Sequence, residues 1–144
     1  MKVNDLIASR KEIYSISDTT TVHEAARYLR DKGVRAVGVL DAVCRLVGVV
    51  SQSDISDKVA AENKCPAWMR VSEIMSTALV TVSPDMSLEE CSLLMDKHGI
   101  YHLLVLEKAG NFRGMISVTD LLQLIASDEK ARADMLEAFI FPQR

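Results

Sequence analysis

The stretches Gly48-Val-Val-Ser-Gln-Ser-Asp-Ile55 and Gly114-Met-Ile-Ser-Val-Thr-Asp-Leu121 decide the fold. Each has a glycine, two apolar residues, a serine, a variable residue, a hydroxyl residue, an aspartate and an apolar residue, in that order. The second stretch begins 66 residues after the first. Self-similarity at a fixed offset is typical of an internal structural repeat, so the rest of the chain is compared at the same offset.

The 66-residue offset also aligns the sequence around these stretches without a gap. The matched pairs include Ser17 with Ser83, Glu24 with Glu90, Gly33 with Gly99, and Ala60 with Ala126. Further upstream, the sequence VNDLI from Val3 resembles VSEIM from Val71 at an offset of 68. We therefore predict a first repeat over residues 1–62, a linker over 63–70, a second repeat over 71–127 and a helical C-terminal tail over 128–144.

Each copy has the pattern of a β-α-β-β-α unit. A hydroxyl residue three positions before a glutamate, as at Thr21 and Ser87, is typical of a helix start. Gly33 and Gly99 suit the left-handed turn that commonly ends a helix. The predicted strands cover 13–16, 34–40, 46–50, 79–82, 100–106 and 112–116; the helices end near Lys32 and Lys97, and a last helix opens at Asp54 and at Asp120. One unit is too small to close a core, so we expect a mixed α/β fold (of the α+β type) built from both repeats.

Composition excludes several classes of protein. A formal net charge of −3 and a pI near 5.6 do not fit a general nucleic-acid binder, which needs a basic surface. The sequence has neither an apolar run that could span a bilayer nor a secretory signal, so we expect no membrane association and a cytoplasmic location. The three widely spaced cysteines, Cys44, Cys65 and Cys91, are expected to be reduced thiols.

Neither catalytic nor metal-binding motifs are indicated. His98 and His102 are four residues apart, but Gly99 separates them, so they do not share a helical face on which to hold a metal. The serines occupy repeat-equivalent positions and none lies in a GxSxG elbow. We predict no catalytic residue, no metal site and no catalytic cofactor, and hence that the protein is not an enzyme.

Two G-h-h-[ST]-x-x-D stretches (h, apolar) inside two β-α-β-β-α units resemble the CBS domain pair, or Bateman module, over nearly the whole chain. The resemblance implies that the repeats pack around a pseudo-two-fold axis and leave two clefts between them. Such clefts bind adenosine compounds: AMP, ADP, ATP, NAD or S-adenosylmethionine. It further implies a homodimer, with any output passing to an unknown effector protein.

The resemblance also assigns roles to residues of the two clefts. Asp54 and Asp120 would accept hydrogen bonds from ribose hydroxyls, although each also suits a helix N-terminus for purely structural reasons. The hydroxyl residues Ser51, Ser53, Ser117 and Thr119 would face ribose or phosphate, and the basic residues Arg35 and His102 would lie toward phosphates. Residues of the strands would wall the adenine, among them Val49, Val50, Met115 and Ile116. His102 aligns with Ala36, so the clefts are not equivalent; if only one is used, the cleft with Asp120 is favoured.

Two functions remain open at this point. The favoured one is a non-catalytic regulatory module that binds an adenine nucleotide or adenosyl ligand and signals to a partner. The alternative is a dimerising interaction module with vestigial clefts, in which the tail contributes a helix with Met135, Leu136, Phe139 and Ile140 on one side. That helix would serve either as a dimer contact or as a cover for one edge of the core.

Overall fold

The structure, a computed structural model, describes residues 1–126 together with Ala133 and Glu137, and omits the side chain of Ile125. It contains two three-stranded sheets of identical topology. In each sheet the first strand pairs in parallel with the second, and the second pairs antiparallel with the third. The first sheet consists of β1 (Ser15–Ser17), β2 (Ala36–Leu40) and β3 (Leu46–Ser51), and the second of β4 (Thr81–Val82), β5 (His102–Leu106) and β6 (Phe112–Ser117).

The helices complete two β-α-β-β-α units and confirm the predicted fold class. They are α1 (Val3–Ile7), α2 (Val22–Lys32), α3 (Gln52–Ile55), α4 (Leu88–His98) and α5 (Val118–Ala126). A π-helical turn, Ser56–Ala60, continues α3, and short 3₁₀ turns cover Pro66–Trp68 and Val71–Glu73. The predicted C-terminal helix with Met135, Leu136, Phe139 and Ile140 lies outside the described residues.

The long helices α2 and α4 begin and end as the sequence predicts. The Thr21 hydroxyl accepts a hydrogen bond from the Glu24 amide, and the Ser87 hydroxyl accepts one from the Glu90 amide, both at 3.1 Å. Gly33 and Gly99 end these helices with φ values of 67° and 62°. Glycine reaches this left-handed region without the steric cost that a Cβ would impose, so both helices stop where the following strand must begin.

Three sets of boundary predictions were wrong. The second strands begin at Ala36 and His102, two residues later than predicted. The first strands are shorter than predicted, because only Ser15–Ser17 and Thr81–Val82 pair with the neighbouring strand. The last helices begin at Gln52 and Val118, two residues before the aspartates at which they were predicted to open. The reason is that the serine before each helix takes the capping position, which places the aspartate at the third helical residue.

The leading segment of each sequence copy, which contains Val3–Ile7 in the first and Val71–Glu73 in the second, packs into the core of the other copy. Val3 and Ile7 of α1 are buried with Val82, Leu103 and Ile116 of the second repeat. Backbone bonds fix this placement, since the Val3 amide donates to the Met86 carbonyl at 2.9 Å. The two sequence copies are therefore not independent packing units.

The reciprocal contact completes the first repeat. Val71 and Ile74 are buried in the core formed by α2, β2 and β3. The Val71 amide donates to the Thr20 carbonyl at 2.8 Å. The exchange of leading segments thus follows the internal symmetry of the sequence, and it ties the stability of each repeat to the other.

Candidate functional site

In the second repeat, Asp120 closes a capping box with Ser117. The Asp120 Oδ2 atom accepts from the Ser117 amide at 2.7 Å and from the Ser117 hydroxyl at 3.0 Å. The Ser117 hydroxyl in turn accepts from the Asp120 amide at 3.2 Å. Such reciprocal bonds satisfy free amides at the start of a helix and hold the carboxylate in one orientation.

A cation from the far end of the chain joins this carboxylate. The Arg10 Nη2 atom lies 3.1 Å from the Asp120 Oδ2 atom, and the Arg10 Nη1 atom donates to the Met115 carbonyl. Gly114, with a φ of 114°, lies beneath the guanidinium; a Cβ built on it would lie 3.6 Å from the Arg10 Nη1 atom. The side chains of Arg10 and Asp120 are 31% and 30% exposed, so solvent and solutes reach the pair.

His102 and Arg35 belong to the same surroundings. His102 opens β5 directly opposite Ser117 and is half-buried. Burial lowers the pKa of His102 from its ordinary value; the charge of Asp120 opposes this shift and that of Arg35 adds to it. Arg35, exposed just before β2, thus brings a residue of the first repeat into electrostatic range of the second.

The first repeat has the same capping box but a different cation. The Asp54 Oδ2 atom accepts from the Ser51 amide at 2.9 Å and from its hydroxyl at 3.1 Å. The Asp54 Oδ1 atom lies 3.0 Å from the Lys58 Nζ atom, and that ammonium also donates to the Ile74 carbonyl at 2.7 Å. Both oxygens of Asp54 are therefore bonded, and only 14% of its side chain is exposed to solvent.

The strand that leads into the first capping box, β3, is covered as well. Val49 and Ser76 exchange two backbone hydrogen bonds of 3.0 and 2.8 Å. The Met75 side chain lies on Gly48, where an added Cβ would meet the Met75 Cγ atom at 2.8 Å. At the equivalent position of the second repeat, Gly114 faces the Arg10 guanidinium instead.

The structure brings together most of the residues predicted for the two clefts. Asp120 bonds to Ser117, and the charges of Asp120 and Arg35 both act on His102. Asp54 bonds to Ser51 in the first repeat. Ser53 and Thr119 are exposed on the first turns of α3 and α5.

The predicted adenine wall needs a correction. Val50 and Ile116 are fully buried in the two cores. Side chains alternate between the faces of a strand, so the half-buried Val49 and Met115, which were also predicted to wall the adenine, lie on the opposite face and remain predicted wall residues.

Sequence reasoning missed three residues at the clefts: Arg10, Lys58 and Met75. Lys58 could have been found, since it follows Asp54 by four residues on a helical stretch. Arg10 gave no local signal, because it pairs with a residue 110 positions away.

Within residues 1–126, Ala133 and Glu137, no group of histidine, cysteine, aspartate and glutamate side chains could hold a metal ion. In that same part of the chain, none of the helices has the length and apolar character needed to cross a membrane.

Two parts of the chain match a known protein family. Residues 3–61 and 71–127 each match the CBS domain model. The chain belongs to the CBS domain family. Each matched CBS region begins at the leading segment that, in this structure, completes the other repeat.

Among curated relatives, this CBS protein is similar to the CBS domain-containing protein YhcV of Bacillus subtilis. The two are 32% identical over 120 residues, which is 83% of this chain and 84% of YhcV. The uncharacterized protein MK0525 of Methanopyrus kandleri is 28% identical over 116 residues, or 81% of this chain, but the match covers only 59% of MK0525. A match to inosine-5′-monophosphate dehydrogenase of Nitrosopumilus maritimus covers 21% of that enzyme.

Solved structures show the same fold. A CBS-domain protein from Burkholderia ambifaria superposes with a TM-score of 0.82 at 30% identity, covering 89% of this chain and 96% of that one. The CBS domain protein PAE2072 from Pyrobaculum aerophilum, complexed with AMP, has a TM-score of 0.77 at 24% identity, covering 88% and 99%. The CBS domain pair of protein MJ0100, complexed with 5′-methylthioadenosine and S-adenosyl-L-methionine, has a TM-score of 0.78 at 23% identity, covering 88% and 97%.

Proposed function

We propose that this CBS protein is a non-catalytic regulatory module that binds an adenine nucleotide or related adenosyl compound in the cleft that contains Asp120. The observation that carries the proposal is the state of the Asp120 carboxylate. It is partly exposed, it is oriented by Ser117, and the bonds from Ser117 and Arg10 end on its Oδ2 atom. We assign the Oδ1 atom to the ribose hydroxyls, because a carboxylate accepts charge-assisted hydrogen bonds from vicinal hydroxyl groups.

The first cleft is a poorer candidate for the same ligand. Lys58 and Ser51 occupy the two oxygens of Asp54, and Met75 and Ser76 cover the strand at Gly48 and Val49. A ligand would have to break the Asp54–Lys58 ion pair and move Met75 before it could bind there. One ligand per chain is therefore our expectation.

The ligand class is supported by the neighbours of known structure. One CBS pair of similar fold holds AMP, and another holds 5′-methylthioadenosine and S-adenosyl-L-methionine. All three compounds contain adenine joined to a ribose ring, so the shared element is the purine and ribose. The ribose is the part that Asp120 is placed to recognise.

The proposal is tested by thermal unfolding with AMP, ADP, ATP, NAD and S-adenosylmethionine, on the wild type and on Asp120→Asn and Asp54→Asn. These variants keep the side-chain size and are matched, since both aspartates close the same capping box. A ligand at a hundred times its dissociation constant adds about 2.7 kcal/mol to the free energy of unfolding. We expect this gain in the wild type and Asp54→Asn and not in Asp120→Asn. Equal gains in the two variants, or no gain with any compound, would refute the proposal.

A second candidate function, a dimerising interaction module, is favoured by exposed apolar side chains. Leu93 on α4 is 70% exposed and Leu122 on α5 is 46% exposed, and these two helices contact each other. The equivalent helices of the first repeat, α2 and α3, flank a groove of about 370 Å³ lined by Ala26, Leu29 and Ile55 among others. The two functions are compatible, because the proposed dimer contact and the proposed ligand site use different residues. A ligand that changed the dimer contact would thereby signal to an effector protein.

This second function is tested by light scattering after gel filtration. We expect a homodimer for the wild type and a monomer for Leu93→Glu combined with Leu122→Glu; a monomeric wild type would exclude it. We also propose a cytoplasmic location, because three widely spaced cysteines, Cys44, Cys65 and Cys91, are typical of reduced thiols.

A further inference from the structure

The two closing aspartates take their cations from different parts of the chain. Asp54 pairs with Lys58, four residues later on the same helical stretch. The position equivalent to Lys58 in the second repeat is Leu124, which has no charge. Asp120 pairs instead with Arg10, which follows α1 in the leading segment. The offset between the copies falls from 68 at Val3 to 66 at Ile16, so this segment has two more residues in the first copy.

Arg10 lies where the proposed ligand would lie. Its guanidinium joins the Met115 carbonyl on β6 to the Asp120 carboxylate at the start of α5. Under the proposed function Met115 walls the adenine and Asp120 holds the ribose, so an adenosine group would occupy the space between them. The ligand must therefore either displace the guanidinium or use it.

The charges near this site decide which compounds can bind favourably when the Arg10 guanidinium is displaced from Asp120. Arg10 and Arg35 are cations; Asp120 pairs with Arg10, and the charges of both Asp120 and Arg35 act on His102. Burial of His102 lowers its pKa and favours its neutral form, so His102 adds little positive charge near neutral pH. A phosphate offers Arg10 a replacement for Asp120, and guanidinium groups bind phosphate through paired hydrogen bonds. An uncharged nucleoside offers no such replacement.

We propose that Arg10 determines the charge specificity of the second cleft, leaving Asp120 for the phosphate of a bound nucleotide and competing with uncharged adenosine compounds. This inference rests on the proposed function and adds the ligand class, a phosphate-bearing adenine nucleotide.

The test compares AMP and adenosine by titration calorimetry on the wild type, Arg10→Ala, Arg10→Lys and Arg45→Ala. Arg45 is a matched control, since it also pairs with an aspartate (Asp41, at 3.0 Å) but lies in the β2–β3 turn. We expect the wild type and Arg45→Ala to prefer AMP over adenosine. In Arg10→Ala this preference should fall by about tenfold, which corresponds to one lost charge-assisted interaction. Arg10→Lys should retain part of the preference.

The outcomes separate this inference from the proposed function. If AMP and adenosine bind but their affinity ratio is unchanged in Arg10→Ala, the role of Arg10 is wrong and the proposed function stands. If the ratio rises in that variant, the inference is also overturned. If neither compound binds the wild type or Arg10→Ala, the proposed function fails and this inference fails with it. Far-ultraviolet circular dichroism of each variant establishes that it is folded.

Discussion

The side chains of Arg10 and Asp120 form a 3.1 Å ion pair although 110 residues separate them in sequence. The pair exists because α1 enters the core of the second repeat, which carries the following residues across to β6 and α5. Exposed ion pairs contribute little to stability, typically below about 1 kcal/mol. The importance of this pair lies in its position at the proposed ligand cleft.

The exchange of leading segments predicts where core mutations act. Ile7 and Ile74 are 4% and 2% exposed, and each lies in the core of the other sequence copy. Replacing either with alanine should lower the free energy of unfolding by about 2–5 kcal/mol. In hydrogen exchange, Ile7→Ala should reduce the protection of Leu103 and Val105, and Ile74→Ala that of Val37 and Val39. Loss of protection only in the sequence copy that contains the mutation would contradict the exchange of leading segments between the repeats.

Contact between the two sheets predicts a specific clash. A Cβ built on Gly38 would lie 2.7 Å from the Phe112 Cζ atom of the other repeat. Gly38→Ala should therefore cost about 1–3 kcal/mol of stability, as overpacking of a filled site does. Phe112→Leu should recover part of that cost in the double mutant, measured by urea unfolding of both single mutants and the pair. If the changes in the free energy of unfolding of the two single mutants add up to that of the double mutant, positions 38 and 112 do not contact each other.

Burial of His102 predicts a pH dependence of stability. Desolvation holds its folded-state pKa below the ordinary value of 6.5, so the unfolded chain binds more protons between these two pKa values. The stabilisation is complete above pH 6.5 and is lost as the pH falls toward the folded-state pKa. Urea unfolding should show that His102→Gln loses less stability than the wild type over this range. His98→Gln, at an exposed position, is the control and should follow the wild type.

The cysteines should differ in reactivity. Cys91 is fully buried, and burial, assisted by the charge of Glu90, raises the pKa of its thiol to about 11. Cys44 and Cys65 are exposed. A disulfide reagent should modify two thiols rapidly in the native protein and the third only on unfolding. In Cys91→Ala the rapid phase should be unchanged and the slow one absent; three rapidly reacting thiols in the wild type would contradict the buried position.

Much of the fold was predictable because it depends on local patterns. The repeat offset located both β-α-β-β-α units, and Thr21, Ser87, Gly33 and Gly99 marked the helix ends through short-range hydrogen bonds and backbone sterics. The aspartates were found by resemblance, which also placed them near the hydroxyls of Ser51 and Ser117.

The remaining features depend on distant packing, which a local pattern does not encode. VNDLI and VSEIM were recognised as related, but nothing in them shows which core they enter. The same holds for Arg10, whose partner is fixed only after α1 has crossed to the second repeat. Val50 and Ile116 were assigned to the cleft because both faces of an apolar strand look alike in sequence; the structure places them in the cores.

The central claim is that Asp120 anchors a single adenosine ligand, and calorimetric titration of AMP into the wild type, Asp120→Asn and Asp54→Asn tests it most directly. We predict one binding site per chain in the wild type, the same isotherm in Asp54→Asn, and no measurable heat of binding in Asp120→Asn. An Asp120→Asn isotherm that matches the wild type would contradict the claim and place the ligand elsewhere.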